Sequence, residues 1–127
     1  MSGAGGISDE AAKRRRDSQR RGQRAELAAA AYLIAKGHRI LARRLKTPVG
    51  EIDIIAVKGR RLAFVEVKQR AAIADCEAAI TPRLRQRVRR AADLWLARKP
   101  HFHNHDQGFD LIFMTPWSWP VYLRDAL

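Results

Sequence analysis

The chain has 127 residues, enough for one domain around a single hydrophobic core. Twenty-five Lys and Arg against thirteen Asp and Glu leave a net charge of +12, which makes a polyanion the expected partner. No apolar run approaches the roughly 18 residues of a membrane span, a lone cysteine, Cys76, excludes an intramolecular disulfide framework, and the amino terminus lacks the apolar core of a secretory signal, so a soluble cytoplasmic protein is expected.

Residues 1–23 open with Ser, Gly and Ala and continue into Lys13-Arg14-Arg15-Arg16 and Arg20-Arg21. They read as a basic tail that is disordered, or as a frayed helix that orders on nucleic acid. Residues 24–36 are rich in strong helix formers and end at Gly37, the position of a glycine helix cap. Glu26 has Ala29, Ala30 and Leu33 as its helical neighbours, so its carboxylate stands on an apolar stripe. Either it belongs to a site that pairs or ligates it, or it is a first-turn acid favoured by the helix dipole.

Residues 38–45 predict the first strand, with Ile40 and Leu41 inward and a turn over Thr47, Pro48, Val49 and Gly50. His38 reads as structural. Two runs with period-two alternation follow across residues 50–70, joined at Gly59-Arg60. A two-residue loop with glycine first pairs Val57 with Leu62 and, counting back, sets Asp53 opposite Glu66. Opposed like charges destabilise a sheet, and a divalent cation such as Mg²⁺ or Mn²⁺ removes the conflict, because hard cations take carboxylate oxygens and keep several waters. Lys68 projects from the same strand face as Glu66. Between Ser18 and Ala74 only Glu26, Glu51, Asp53 and Glu66 are acidic, among thirteen Lys and Arg, which suits acids that hold a cation on a phosphate-attracting surface. Glu51, nearer the turn, is of second rank.

Residues 71–80 form an ambiguous connection. Thr81-Pro82 then supplies an N-cap and first-turn proline for a helix reaching about Lys99, with Leu84, Val88, Ala91 or Ala92, and Trp95 inward. Arg83, Arg85, Arg87, Arg89 and Arg90 occupy its other faces, with no acid before Asp93, as expected of a phosphate-contacting surface. His101, His103 and His105 alternate without a recognised zinc spacing. Residues 109–114 and 121–123 read as strands, and Trp117 and Trp119 between them are expected to pack over the sheet rather than stack on bases.

Asp53, twelve residues, then Glu66-Val67-Lys68 resembles the metal-dependent PD-(D/E)xK nuclease superfamily, which includes type II restriction enzymes and archaeal Holliday-junction resolvases. In particular, Gly50-Glu51-Ile52-Asp53 with Phe64-Val65-Glu66-Val67-Lys68-Gln69-Arg70 is similar to the bacterial YraN-like family, regarded as endonucleases. The resemblance implies an α/β domain over residues 24–127 with a restriction-endonuclease-like three-layer core, a mixed sheet flanked by helices. It implies a Mg²⁺- or Mn²⁺-dependent endonuclease on DNA, with Asp53, Glu66 and Glu26 holding the ion and Lys68 catalytic. Arg60, Arg61, Arg70, Arg83, Arg87 and Arg90 are the expected nucleic-acid contacts, and a homodimer is left open. The rival reading is a non-catalytic nucleic-acid-binding protein that retains the fold. The basic amino-terminal extension, Gly108 where a basic residue commonly precedes the Phe-Asp pair, and the Trp-Pro-rich ending depart from the family pattern.

Overall fold

The computed structural model describes the backbone of residues 2–127 and the side chains of residues 8–127; Met1, the first residue of the expected tail, lies outside them. Helix α1 (Ser2–Ala35) is continuous, so residues 8–23 take the helical one of their two expected states. Arg, Lys, Gln and Ala dominate there, and Gly22 is the weakest helix former among them. The helix closes as expected at Gly37, whose φ of 95° places it in the left-handed region. The His38 amide donates to the Leu33 carbonyl and the Gly37 amide to that of Ile34, the paired bonds of a Schellman cap.

Five strands follow the order β1 (Arg39–Thr47), β2 (Gly50–Lys58), β3 (Arg61–Gln69), β4 (Asp106–Met114) and β5 (Val121–Leu123). The first three form an antiparallel meander, β4 runs parallel to β3, and β5 returns antiparallel at the edge. Val57 pairs with Leu62 as the turn chemistry predicts, and Gly59 takes φ 60°. The parallel β3–β4 step needs a crossover, which is supplied by α2 (Ile73–Ala78), α3 (Pro82–Ala97) and a short 3-10 turn, Pro100–Phe102. Thr81 caps α3 by accepting the Leu84 amide, with Pro82 in the first turn.

The architecture is the expected three-layer α/β core. Ala29, Ala30 and Leu33 of α1 pack on Ile54, Ala56, Ala63, Val65 and Ile112, while Val88, Ala91, Ala92 and Leu96 of α3 cover Ile55, Val57, Leu62, Phe64 and Phe113. Both faces of the central strands are therefore buried, and β2 and β3 run nearly continuously apolar between their charged ends. Gly50 marks the closest approach of helix to sheet: a Cβ there would fall 2.0 Å from the Arg87 carbonyl oxygen.

An extra residue, Leu41, bulges β1 between Ile40 and Ala42, so Leu41 and Ala42 both face the α3 layer while Ile40 faces the α1 layer. One expectation is corrected. Trp117 and Trp119 do not pack over the sheet: Trp117 is fully exposed and Trp119 is 86% exposed. The backbone turns outward at Trp117, where φ is 62°, a left-handed value that costs an L-residue about 1–2 kcal/mol. Among the described residues no helix is long and apolar enough to cross a membrane.

Candidate metal centre

Asp53 sits where the sheet opens. The β1–β2 pairing passes from Arg43 and Ile54 to Leu45 and Ile52, skipping Arg44 and Asp53, and the β2–β3 pairing ends at Ile54 and Val65. Arg44, at φ 53°, turns the edge strand aside at this level. Released from both ladders, the Asp53 carboxylate accepts the Val67 amide at 2.8 Å. Glu66, the next residue of β3 beyond that pairing, is only 6% exposed. Lys68, two residues on, places Nζ 3.1 Å from Glu66 Oε1.

Burial raises both Asp53 and Glu66 above the ordinary carboxylate range. For Glu66 the neighbouring Asp53 charge adds to burial, and the Lys68 ammonium opposes them. For Asp53 the Val67 amide and Lys68 favour the charged form. Without a cation the two carboxyls thus form a coupled acid pair whose joint ionisation is disfavoured.

Helix α1 brings Glu26 to the same cleft, about 570 Å³ in volume and lined also by Gln23, Arg44, Lys46, Glu51 and Ile52. Glu26 is 8% exposed, and its Oε1 has no hydrogen-bond partner. Burial, then the Asp53 charge, pushes its carboxyl up to about 7 against the lowering effect of Arg44 and Arg43. Of the two readings of Glu26, membership of the cleft is therefore the one the geometry matches.

The expected trio of Glu26, Asp53 and Glu66 all line this one cleft. Among the described residues no three His, Cys, Asp or Glu side chains approach closely enough to hold a metal between them. The reason is the layering: Asp53 and Glu66 share the sheet, whereas Glu26 comes from the helix above it. The donor set nevertheless fits a hard divalent cation, with a half-buried and a buried carboxylate that resist joint ionisation and a third carboxylate oxygen lacking any partner.

The expected cationic residues divide. Arg70 is exposed at the end of β3 and lines a smaller cleft with Arg21 and Lys68, next to the acids. Arg83, Arg87 and Arg90 are exposed on α3. Arg60 and Arg61 lie at the opposite end of β3, about 17 Å from Glu66 along the strand. Arg60 is exposed and donates to the Asn104 carbonyl. Arg61 is engaged within the protein: its guanidinium makes two 2.7 Å bonds to the fully buried Asp110 and one of 3.0 Å to Asp125. Gly108 makes this arrangement fit, because a Cβ there would fall 2.1 Å from the Arg61 guanidinium, which is why no basic side chain precedes Phe109. Burial acts to raise Asp110, but Arg61, Tyr122 and the Asp125 amide outweigh it and hold that carboxyl below its ordinary value.

Cleft residues the sequence reading missed are Gln19, Gln23, Arg44 and Lys46. A signal existed for two of them, since Gln19, Gln23 and Glu26 fall at helical spacings of four and three and so share one face. Arg44 carried none, because its role depends on a strand irregularity. Cys76 is buried on α2 and its thiol is pushed up, chiefly by burial, as suits a structural residue.

The profile of the Uncharacterised protein family UPF0102 matches residues 25–114, which span α1 from the residue before Glu26 through the last residue of β4. A UPF0102 protein of Rhizobium meliloti (strain 1021) is 47% identical over 107 residues, 84% of this chain and 88% of that protein. One of Mesorhizobium japonicum is 44% identical over 112 residues, 88% and 90% of the two chains. Another, of Rhodopseudomonas palustris (strain HaA2), is 50% identical over 102 residues, 80% of each. With the profile covering most of its length and such relatives nearly end to end, this chain belongs to the UPF0102 family.

Proposed function

We propose that the protein is a Mg²⁺- or Mn²⁺-dependent endonuclease of the PD-(D/E)xK type that hydrolyses DNA phosphodiesters. The observation that carries the reading is the pair of half-buried Asp53 and buried Glu66, with Lys68 held 3.1 Å from Glu66, lining a cleft. A surface hairpin has no use for two acids that resist joint ionisation, whereas a cation resolves their repulsion. The surrounding charge supports a phosphate-bearing ligand: Arg44 and Lys46 line the cleft, and Arg21 and Arg70 line a smaller one that shares Lys68 with it. Helix α1 spans about 51 Å against about 30 Å for a nine-residue strand, so its arginine-rich first half extends past the sheet on the Glu26 side.

Asp53 and Glu66 would hold the ion, with Glu26 beside them in the cleft. When bound, the ion polarises the phosphodiester and lowers the pKa of its water. Lys68 donates to the phosphate oxygens as negative charge builds on them, a role in which a fixed ammonium stabilises the transition state more than the ground state. Glu26, with an oxygen lacking any partner, is placed to accept the proton that the attacking water loses as its oxygen bonds to phosphorus and the leaving oxygen departs. Gln69 and Arg70 follow on the same strand and meet the flanking backbone.

The reading is tested by calorimetric titration of Mg²⁺ and Mn²⁺ into the protein and its Asp53→Asn variant, alongside a cleavage panel of duplex, single-stranded, flapped and four-way-junction DNA. Metal binding that depends on Asp53, with cleavage of at least one substrate, is expected. Absence of both would leave a nucleic-acid-binding protein on a nuclease fold.

A further inference from the structure

The six residues 115–120, which join β4 to β5, place two tryptophans in water. Pro116 and Pro120 flank them and restrict the backbone, and Trp117 holds a left-handed φ of 62° with no packing contact in return. Indole rings this exposed, on a backbone that is not relaxed, are unusual unless something stacks on them.

Their place in the fold identifies what that is. Strand β4 runs parallel to β3, with Met114 opposite Gln69 and the Arg70 amide donating to the Met114 carbonyl at 3.2 Å. The tryptophan loop therefore leaves the sheet at its acid end. Glu66 pairs with Leu111, four positions before the loop's first residue, or about 13 Å along the strand. At the base of the loop Arg70 is exposed and shares a cleft of about 250 Å³ with Arg21 and Lys68. No acid occurs between Asp110 and Asp125. Aromatic faces beside cations match a ligand that carries flat rings on a phosphate chain, because stacking takes any base while the cations take the backbone. In an intact duplex the base faces are covered by their neighbours and the rings would have nothing to stack on.

We infer that Trp117 and Trp119 form a stacking surface for unpaired nucleobases beside the acid cleft, so that the DNA this protein acts on carries a single-stranded segment next to the cleaved bond. The inference deepens the nuclease reading and rests on it for the meaning of the cleft, but its binding component stands apart from catalysis. The family profile ends at Met114, so the stacking surface begins immediately past the matched residues.

The test measures binding in EDTA, where no cleavage occurs, by fluorescence anisotropy of a labelled oligothymidylate, a flapped duplex and a blunt duplex of equal length. Trp117→Ala and Trp119→Ala should each weaken binding to the first two by roughly five- to 150-fold, the range for one stacked base, and leave the blunt duplex unchanged. Quenching of tryptophan fluorescence by oligothymidylate should disappear in the double variant, because Trp95, the remaining tryptophan, packs against the α3-side core. Equal losses on all three ligands, or no loss on any, would overturn the inference. So would a change from dimer to monomer in sedimentation velocity without a change in single-strand affinity, since the rings would then serve self-association. If the strand preference holds while the metal titration and cleavage panel fail, the stacking surface stands and the nuclease reading falls.

Discussion

The Asp53 carboxylate accepts the Val67 amide at 2.8 Å, beyond the last ladder pair of Ile54 with Val65. A side chain thus takes the place of a main-chain acceptor where the strands part. That contact holds Asp53 beside Glu66 without help from a cation. Asp53→Asn keeps an oxygen for the Val67 amide while removing a charge from a crowded pair. In EDTA the variant should melt at or above the parent's temperature. The parent should gain about 2.7 kcal/mol at a metal concentration one hundred times its dissociation constant, and the variant should gain nothing. Differential scanning calorimetry with and without Mg²⁺ checks both; unfolding of the variant in EDTA would mark the pair as structural.

Stability without metal should fall as pH rises. Glu26, Asp53 and Glu66 all have carboxyls raised in the folded protein, Glu26 to about 7. A raised acid binds its proton more tightly folded than unfolded, so its stabilising effect is present at low pH and is lost between the unfolded value, near 4.5, and the folded one. The melting temperature in EDTA should decline from about pH 5 to pH 8. Saturating Mg²⁺ should flatten the decline, because the ion competes with the protons. Glu26→Gln should remove part of the slope. A profile that rises over this range would contradict the assigned carboxyl shifts.

Lys68 separates chemistry from binding. Lys68→Ala should retain fold and metal, and lose cleavage by roughly a hundredfold or more, the scale for one transition-state donor, while Lys68→Arg keeps a remnant. Single-turnover rates at saturating metal on a cleavable substrate isolate the step. Unchanged rates in Lys68→Ala would remove its role.

The Arg61–Asp110 pair should matter for stability and not for the site. Arg61→Met leaves a fully buried carboxylate with only Tyr122 and the Asp125 amide, and breaking a buried pair by removing one partner costs about 3–5 kcal/mol. Urea denaturation should show that loss while metal affinity stays unchanged. Asp110, held below its ordinary value, contributes stability at neutral pH that is lost as pH falls through its folded value, the opposite direction to the cleft acids.

Nucleic-acid affinity should depend steeply on salt. With cations spread over α1, α3 and Arg70, the slope of log K against log salt should correspond to roughly five or more released ions. Binding that barely changes between 50 and 200 mM salt would exclude phosphate as the main contact.

What this chain's sequence determined alone is local. Alternation in residues 50–70 and a glycine-first turn were enough to pair Val57 with Leu62 and to bring Asp53 toward Glu66, because strand period and turn geometry are set within a few residues. Gly37 and Thr81 marked helix ends for the same reason. The helix–strand order implied the layered α/β fold, since each apolar face has to be covered. The tertiary structure decided matters that depend on partners far along the chain. Arg61 looked free for phosphate, yet its partner Asp110 lies 49 positions away and is reached only because β4 aligns with β3 and Gly108 leaves room for the guanidinium. Trp117 and Trp119 looked like core, but a left-handed turn at Trp117 sends them outward, and no local pattern specifies that turn. Glu26 reaches the acid cleft without joining a three-acid cluster because its helix lies in the layer above the sheet, and the separation between layers is set by the side chains packed between them.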